Sequence, residues 1–80
     1  MARTPVYMPK FGMTMNEGLI VEWHRQEGDA VKEGDILLTV ETEKVNTDIE
    51  APASGTLREV RYQVDDEVPV GEIVAYIDGD

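Results

Sequence analysis

Apolar and polar residues alternate along much of this chain at a period of two. Ile36, Leu38 and Val40 interleave with Leu37, Thr39 and Glu41. Val45 to Glu50 reads as a second strand, closed by Ala51-Pro52-Ala53-Ser54-Gly55. Successive strand side chains point to opposite faces, so this alternation is the mark of a half-buried strand. Leu19–Arg25, Thr56–Tyr62 and Ile73–Asp78 read the same way, with short apolar steps at Val31 and Val68. Turns rich in Gly and Asp separate them, and no stretch keeps a helical period long enough to propose a helix. The face carrying Ile36, Leu38 and Val40, echoed by Ile73, Ala75 and Ile77, is the expected buried side. The pattern therefore predicts an all-β fold, a small antiparallel sandwich or barrel.

The chain also repeats itself. Shifting it by 37 residues aligns Gly18–Glu41 with Gly55–Asp78 without a gap. Seven of the 24 positions are identical: Gly18/Gly55, Glu22/Glu59, Gln26/Gln63, Asp29/Asp66, Val31/Val68, Gly34/Gly71 and Ile36/Ile73. Seven identities with the glycines in register indicate an internal duplication. The alignment assigns roles to several residues. Trp23 falls on Val60 and reads as a core filler. His24 falls on Arg61, a solvated position. Asp65-Asp66-Glu67 falls on the Gly28-Asp29-Ala30 turn and lacks the spaced ligands of a calcium loop. Lys44 falls on Tyr7 and on a position just past the end, which makes its hairpin the expected counterpart of the region holding both termini. The lysine is expected to project from one end of the domain while the chain ends leave from the other.

Size and charge narrow the field. Eighty residues predict one domain, residues 1–80, near the lower limit for a single core. Seven Lys+Arg against seventeen Asp+Glu give a net charge of −10, which repels nucleic acid and anionic membrane surfaces. There is no cysteine, so thiolate catalysis, a disulfide framework and a zinc–thiolate site are excluded. One histidine with no cysteine cannot build a zinc site. No apolar run approaches the roughly 20 residues of a membrane span, and no apolar signal core follows the N-terminus. The expected location is the cytoplasm, with no membrane or nucleic-acid partner.

Little else in the chain can do chemistry except Lys44, set between two strands in Glu41-Thr42-Glu43-Lys44-Val45. A hairpin tip presents its amine to solvent. Glu41, Glu43, Asp48 and Glu50 lie close in sequence and favour the charged ammonium. Lys44 is thus no self-activated nucleophile of the Schiff-base kind. It reads as a substrate for modification by another enzyme, with no catalytic residue on this chain.

The run Glu41-Thr42-Glu43-Lys44-Val45, with Gly28-Asp29-Ala30-Val31-Lys32-Glu33-Gly34-Asp35 before it and Ala51-Pro52-Ala53-Ser54-Gly55 after it, resembles a lipoyl domain. The likeness is to those of the dihydrolipoyl acyltransferase (E2) component of 2-oxo acid dehydrogenase complexes. The opening Met8-Pro9-Lys10-Phe11-Gly12-Met13-Thr14-Met15-Asn16-Glu17-Gly18 resembles the pyruvate and acetoin branches, and the resemblance covers residues 6 to 78. It implies a flattened barrel of two four-stranded antiparallel sheets with twofold quasi-symmetry. It implies lipoic acid in amide linkage on Lys44, flanked by the recognition residues Glu41, Glu43 and Val45. The family most often has Asp before this lysine, and Glu43 keeps the charge.

The resemblance further implies a non-catalytic swinging-arm carrier of acyl groups and reducing equivalents. Its partners would be a lipoate-attaching enzyme, a thiamine-diphosphate E1, the E2 catalytic domain and a flavoprotein E3, with the isolated domain a monomer. The Phe11–Glu17 loop, with Phe11 and Asn16 as its test positions and Met13 and Met15 as partial core, is implied to help partners recognise the domain. A biotinyl carrier domain of a biotin-dependent carboxylase shares the fold, but its lysine usually lies between methionines, whereas Glu43 and Val45 flank Lys44. The glycine-cleavage H protein is longer and carries helices. Unmodified structural modules of this type, as in efflux adaptors, lack the Glu-Lys-Val hairpin.

Overall fold

A computed structural model describes residues 2–9, 16–42 and 45–79; the side chain of Thr42 is not described. Eight strands make up the molecule: β1 (Arg3–Tyr7), β2 (Glu17–Trp23), β3 (Ala30–Val31), β4 (Ile36–Thr42), β5 (Val45–Glu50), β6 (Gly55–Arg58), β7 (Glu67–Pro69) and β8 (Ile73–Asp78). They form two antiparallel four-stranded sheets, ordered β1-β8-β6-β3 and β5-β4-β2-β7. The sheets face each other without closing into a continuous ladder, and the molecule measures 37 × 20 × 20 Å.

The duplication is visible in the pairing. A pseudo-twofold exchanges β1 with β5, β8 with β4, β6 with β2 and β3 with β7, so each sheet holds strands from both halves. The turns repeat atom for atom. The Gln26 amide donates to the Asp29 carboxylate at 2.8 Å, and the Gln63 amide to that of Asp66 at 2.7 Å. Gly28 N–H donates to the Leu57 carbonyl and Asp65 N–H to that of Ile20, tying each turn onto the opposite sheet. Both donors have positive φ, 97° for Gly28 and 77° for Asp65.

Strand alternation fails at one place in each half, and it is the same place. Leu37 and Leu38 are both fully buried, as are Val74 and Ala75, while Ile36 and Ile73 are only partly covered. The expected faces led by Ile36 and Ile73 are therefore corrected. The cause is an irregular register between Ile36 and Leu38 against β5, and between Val6 and Tyr7 where β1 meets β8. An extra residue at a bulge turns two consecutive side chains inward. The Leu37 carbonyl accepts from both His24 and Arg25 amides, and that of Val74 accepts from Arg61. The core thus gains a buried Leu and a buried Val, each stabilising by roughly 1.5–3 kcal/mol.

Two further expectations change. The strand expected over Thr56–Tyr62 stops at Arg58, because Glu59 adopts φ 50° and leaves the ladder. The strand expected over Leu19–Arg25 is β2 at Glu17–Trp23, with a break between Ile20 and Glu22. Trp23 packs partly buried against the core, with its indole N–H bonded to the Tyr62 carbonyl at 3.0 Å. Asp66 N–H bonds to Gln63, so Asp65-Asp66 is a turn as expected.

The counterpart of Lys44 also changes register. Arg3 through Tyr7 pair with β8 as Asn46 through Glu50 pair with β4, an offset of 43 residues, not 37. Glu50, not Lys44, is the equivalent of Tyr7. The strand pair Thr42–Val45 corresponds to Gly79 and Ala2, which are joined by a Gly79 N–H to Ala2 carbonyl bond of 2.6 Å. The Thr42–Val45 pair thus ends the β4–β5 ladder of one sheet as Gly79 and Ala2 end the β8–β1 ladder of the other.

At the terminal end Arg3 grips Asp78 through two bonds of 2.7 and 3.1 Å, bonds Glu59 at 2.6 Å and lies 5.0 Å above the Tyr76 ring. The hydrogen bond from Arg3 holds the Asp78 carboxyl below the usual aspartate range. A folded-state pKa below the unfolded one contributes stability above the unfolded value, about 3.9, which is lost as pH falls through the folded value. Arg3→Gln is expected to lower Tm at neutral pH, with the gap to the parent narrowing below about pH 4; thermal melts across that range check it. Asp65→Gly is expected to stabilise the fold by about 0.5–1 kcal/mol by relieving a left-handed residue, and Gly28→Ala to destabilise it by about 1–2 kcal/mol. Urea unfolding of both variants reads the two signs.

Candidate functional site

The β4–β5 hairpin is built from the core outward. Val40 and Ile49 are buried and anchor its two strands. Glu41 pairs with Asn46 and Thr42 with Val45. That last pair leaves two residues, Glu43 and Lys44, to join the strands, and both lie outside the described residues. Val45 is 61% exposed, the most open of the large apolar residues described.

Polar bonds brace the outer face behind the hairpin. The Thr39 hydroxyl donates to the Asp48 carboxylate across β4 and β5 at 2.8 Å. His24 Nε2 lies 2.7 Å from the same hydroxyl, and Nδ1 lies 3.7 Å from Glu22. The hydroxyl gives its proton to Asp48, so His24 Nε2–H donates to it. This cross-strand chain holds β5 to β4 near the hairpin. The alternation of the sequence singles out Thr39 only as a polar strand position; its pairing needed the register. His24 is exposed, as its alignment with Arg61 suggests.

Of the residues expected to serve recognition, Glu41 and Val45 stand exposed on the hairpin. Asn16 is exposed, and its carbonyl accepts from the Val70 amide at 2.9 Å. Phe11, Met13 and Met15 lie outside the described residues.

The two offsets locate an addition to the repeat. Met8 and Ala51 are equivalent: both are buried, and each exchanges bonds with the facing turn, Met8 with Glu72 and Gly71, Ala51 with Asp35 and Gly34. Pro9 then matches Pro52, while Gly18 matches Gly55. Between these fixed points the first half carries six extra residues, the difference between offsets of 43 and 37. Lys10–Met15 thus has no counterpart in the second half. A gapped alignment of Met8-Pro9 on Ala51-Pro52 is the sequence signal for it.

The family model described as "Biotin-requiring enzyme", of the biotin and lipoyl type, matches residues 4–77. The chain belongs to this biotin/lipoyl family of attachment domains. Its likenesses within the family fall on the lipoyl side. It is 44% identical over 70 residues, 88% of this chain, to the dihydrolipoyllysine-residue acetyltransferase component of the acetoin cleaving system of Pseudomonas putida. It is 42% identical over 76 residues, 95% of this chain, to the corresponding component of the pyruvate dehydrogenase complex of Corynebacterium glutamicum. The chain spans 19% and 11% of the length of these two curated relatives. The solution structure of the lipoyl domain of the Azotobacter vinelandii 2-oxoglutarate dehydrogenase complex superposes with a TM-score of 0.80 at 28% identity, covering 96% of this chain and 99% of that one. The chain is a lipoyl-type carrier domain, and the two-sheet fold implied by its sequence is the fold it has.

Because the Pro52–Ala53 connection bridges the equivalent strands without the six residues, deletion of Lys10–Met15 is expected to leave a folded domain. A cooperative thermal melt and an unchanged far-UV circular dichroism spectrum are the expected readout; a molten or aggregated product would show that these residues belong to the fold.

Proposed function

We propose that these 80 residues are a single, non-catalytic carrier domain of an E2 acyltransferase, with lipoic acid in amide linkage on Lys44. The observation that carries the reading is the Thr42–Val45 pair, which ends a braced hairpin with only Glu43 and Lys44 left to join it. A lysine at that place, beside an exposed Val45, is open to an attaching enzyme. Bound lipoate supplies a dithiolane on a long arm, raising the local concentration of acyl groups and reducing equivalents at each site it visits. The residues of this chain do something simpler. Val40 and Ile49 fix the hairpin to the core, and Thr39 and Asp48 bind its strands together.

In this reading the attaching enzyme takes the proton from the amine and brings an activated carboxyl. The partners of this reading are that enzyme, a thiamine-diphosphate E1, the E2 catalytic domain and a flavoprotein E3. The complex is of the 2-oxo acid or acetoin kind, as in the acetoin, pyruvate and 2-oxoglutarate relatives, and its place in this reading is the cytoplasm. Glu43 and Val45 identify the lysine to the attaching enzyme, and Phe11 and Asn16 identify the domain to E1.

Incubation with a lipoate ligase, lipoate and ATP is expected to add one lipoyl group by intact mass, and Lys44→Arg to abolish it. Modification that persists in the variant, or a biotinyl mass on protein from its native source, overturns the assignment. Phe11→Ala and Asn16→Ala are each expected to slow reductive acylation by E1 about tenfold, a change of about 1.4 kcal/mol, with lipoylation itself unchanged.

A further inference from the structure

We propose that the outer face of the β5-β4-β2-β7 sheet is a docking surface for a basic protein partner, and that its charge turns the hairpin end toward that partner. The proposal rests on the carrier reading above. Its basis is an asymmetry of charge in a fold whose backbone is symmetric.

The four strands of this sheet carry Glu17, Glu22, Glu41, Asp48, Glu50 and Glu67, all exposed, and no lysine or arginine. The pseudo-twofold gives an internal control at each position. The counterparts are Ser54, Glu59, Asp78, Pro5, Tyr7 and Ala30, so four of the six acids have no acidic equivalent. The two acids that do appear there, Glu59 and Asp78, are both held by Arg3. The strands of that opposite sheet carry Arg3 and Arg58, both exposed, and the one acid Asp78. Among the described residues no lysine or arginine pairs with any of the six acids; Glu22 meets only the His24 ring, at 3.7 Å.

The fold does not ask for these charges. Equivalent strands make the same turn bonds and bury equivalent side chains, with six exposed acids on one sheet against the Arg3-held Asp78 on the strands of the other. Unpaired like charges across neighbouring strands oppose folding. A cost borne on one sheet and avoided on its twin points to an interaction made there. The carboxylates are spread over four strands, and among the described residues no group of three acidic or histidine side chains converges on a metal site. A flat, extended negative face is complementary to an extended positive one, which favours a protein surface and acts chiefly on the rate of encounter. Glu41 and Asp48 carry that face up to the hairpin, so a partner drawn to it meets Lys44.

The test uses lipoylated domain and the thiamine-diphosphate E1 of an acetoin- or pyruvate-cleaving complex. The variant E17Q/E22Q/E50Q/E67Q leaves Glu41, Asp48 and the hairpin untouched. Its kcat/KM for reductive acylation is expected to fall about tenfold at low ionic strength, through KM with kcat unchanged, and its salt dependence to flatten. R58Q, on the opposite sheet, is expected to show no loss and the parent salt dependence. A quadruple variant with the parent's KM and salt slope overturns the docking face while leaving the carrier role standing. Parent domain that carries lipoate yet is never acylated by E1 overturns the carrier reading, and this one with it.

Discussion

Everything in this molecule depends on the exchange of strands between its two halves. β1 belongs to the first half but lies against β8 of the second, and β3 of the first half closes the same sheet beside β6. Neither half could bury its apolar face alone, because each sheet is finished by strands from the other. The cross-sheet bonds at Gly28–Leu57 and Asp65–Ile20 extend this dependence to the turns. A chain of this length has little core to spare, and interlocking lets fourteen buried apolar residues form one cluster instead of two small ones.

That interlock braces a chain that has no cysteine for a disulfide. Each hairpin end is held by a neighbour from the other half, so the β4–β5 strands are fixed up to the Thr42–Val45 pair. The hydroxyl of Thr39, shared between Asp48 and His24, adds polar stiffness on the solvent side of the same strands.

Much of this was legible in the sequence. The shift of 37 residues located the turns, the glycines in register and the role of Trp23 in the core, because those positions obey a backbone rule that leaves a local trace. Lys44 was singled out by its flanks alone, and it lies outside the described residues. The buried pairs Leu37-Leu38 and Val74-Ala75 were not, since a bulge reverses the alternation that reveals a strand face. The early end of β6 was hidden because Glu59 matches Glu22 in type yet takes a left-handed conformation. β1 escaped because Arg3–Tyr7 borrows its regularity from a distant partner, β8, and the Arg3–Asp78–Glu59 grip spans nearly the whole chain. The six-residue addition at Lys10–Met15 became visible once pairing supplied the second offset.

The position of the chain ends has a mechanical consequence. β1 and β8 run antiparallel, and Ala2 and Gly79 sit side by side at the rim of one sheet. A force that drew the two ends apart would load the rungs of this ladder one at a time, beginning with Arg3 and Asp78, as a zipper opens. A force on a single end would spread over the sheet. The domain is therefore weak when pulled between two anchors, and the β4–β5 hairpin, in the other sheet, takes no part in the ladder that such a pull would open.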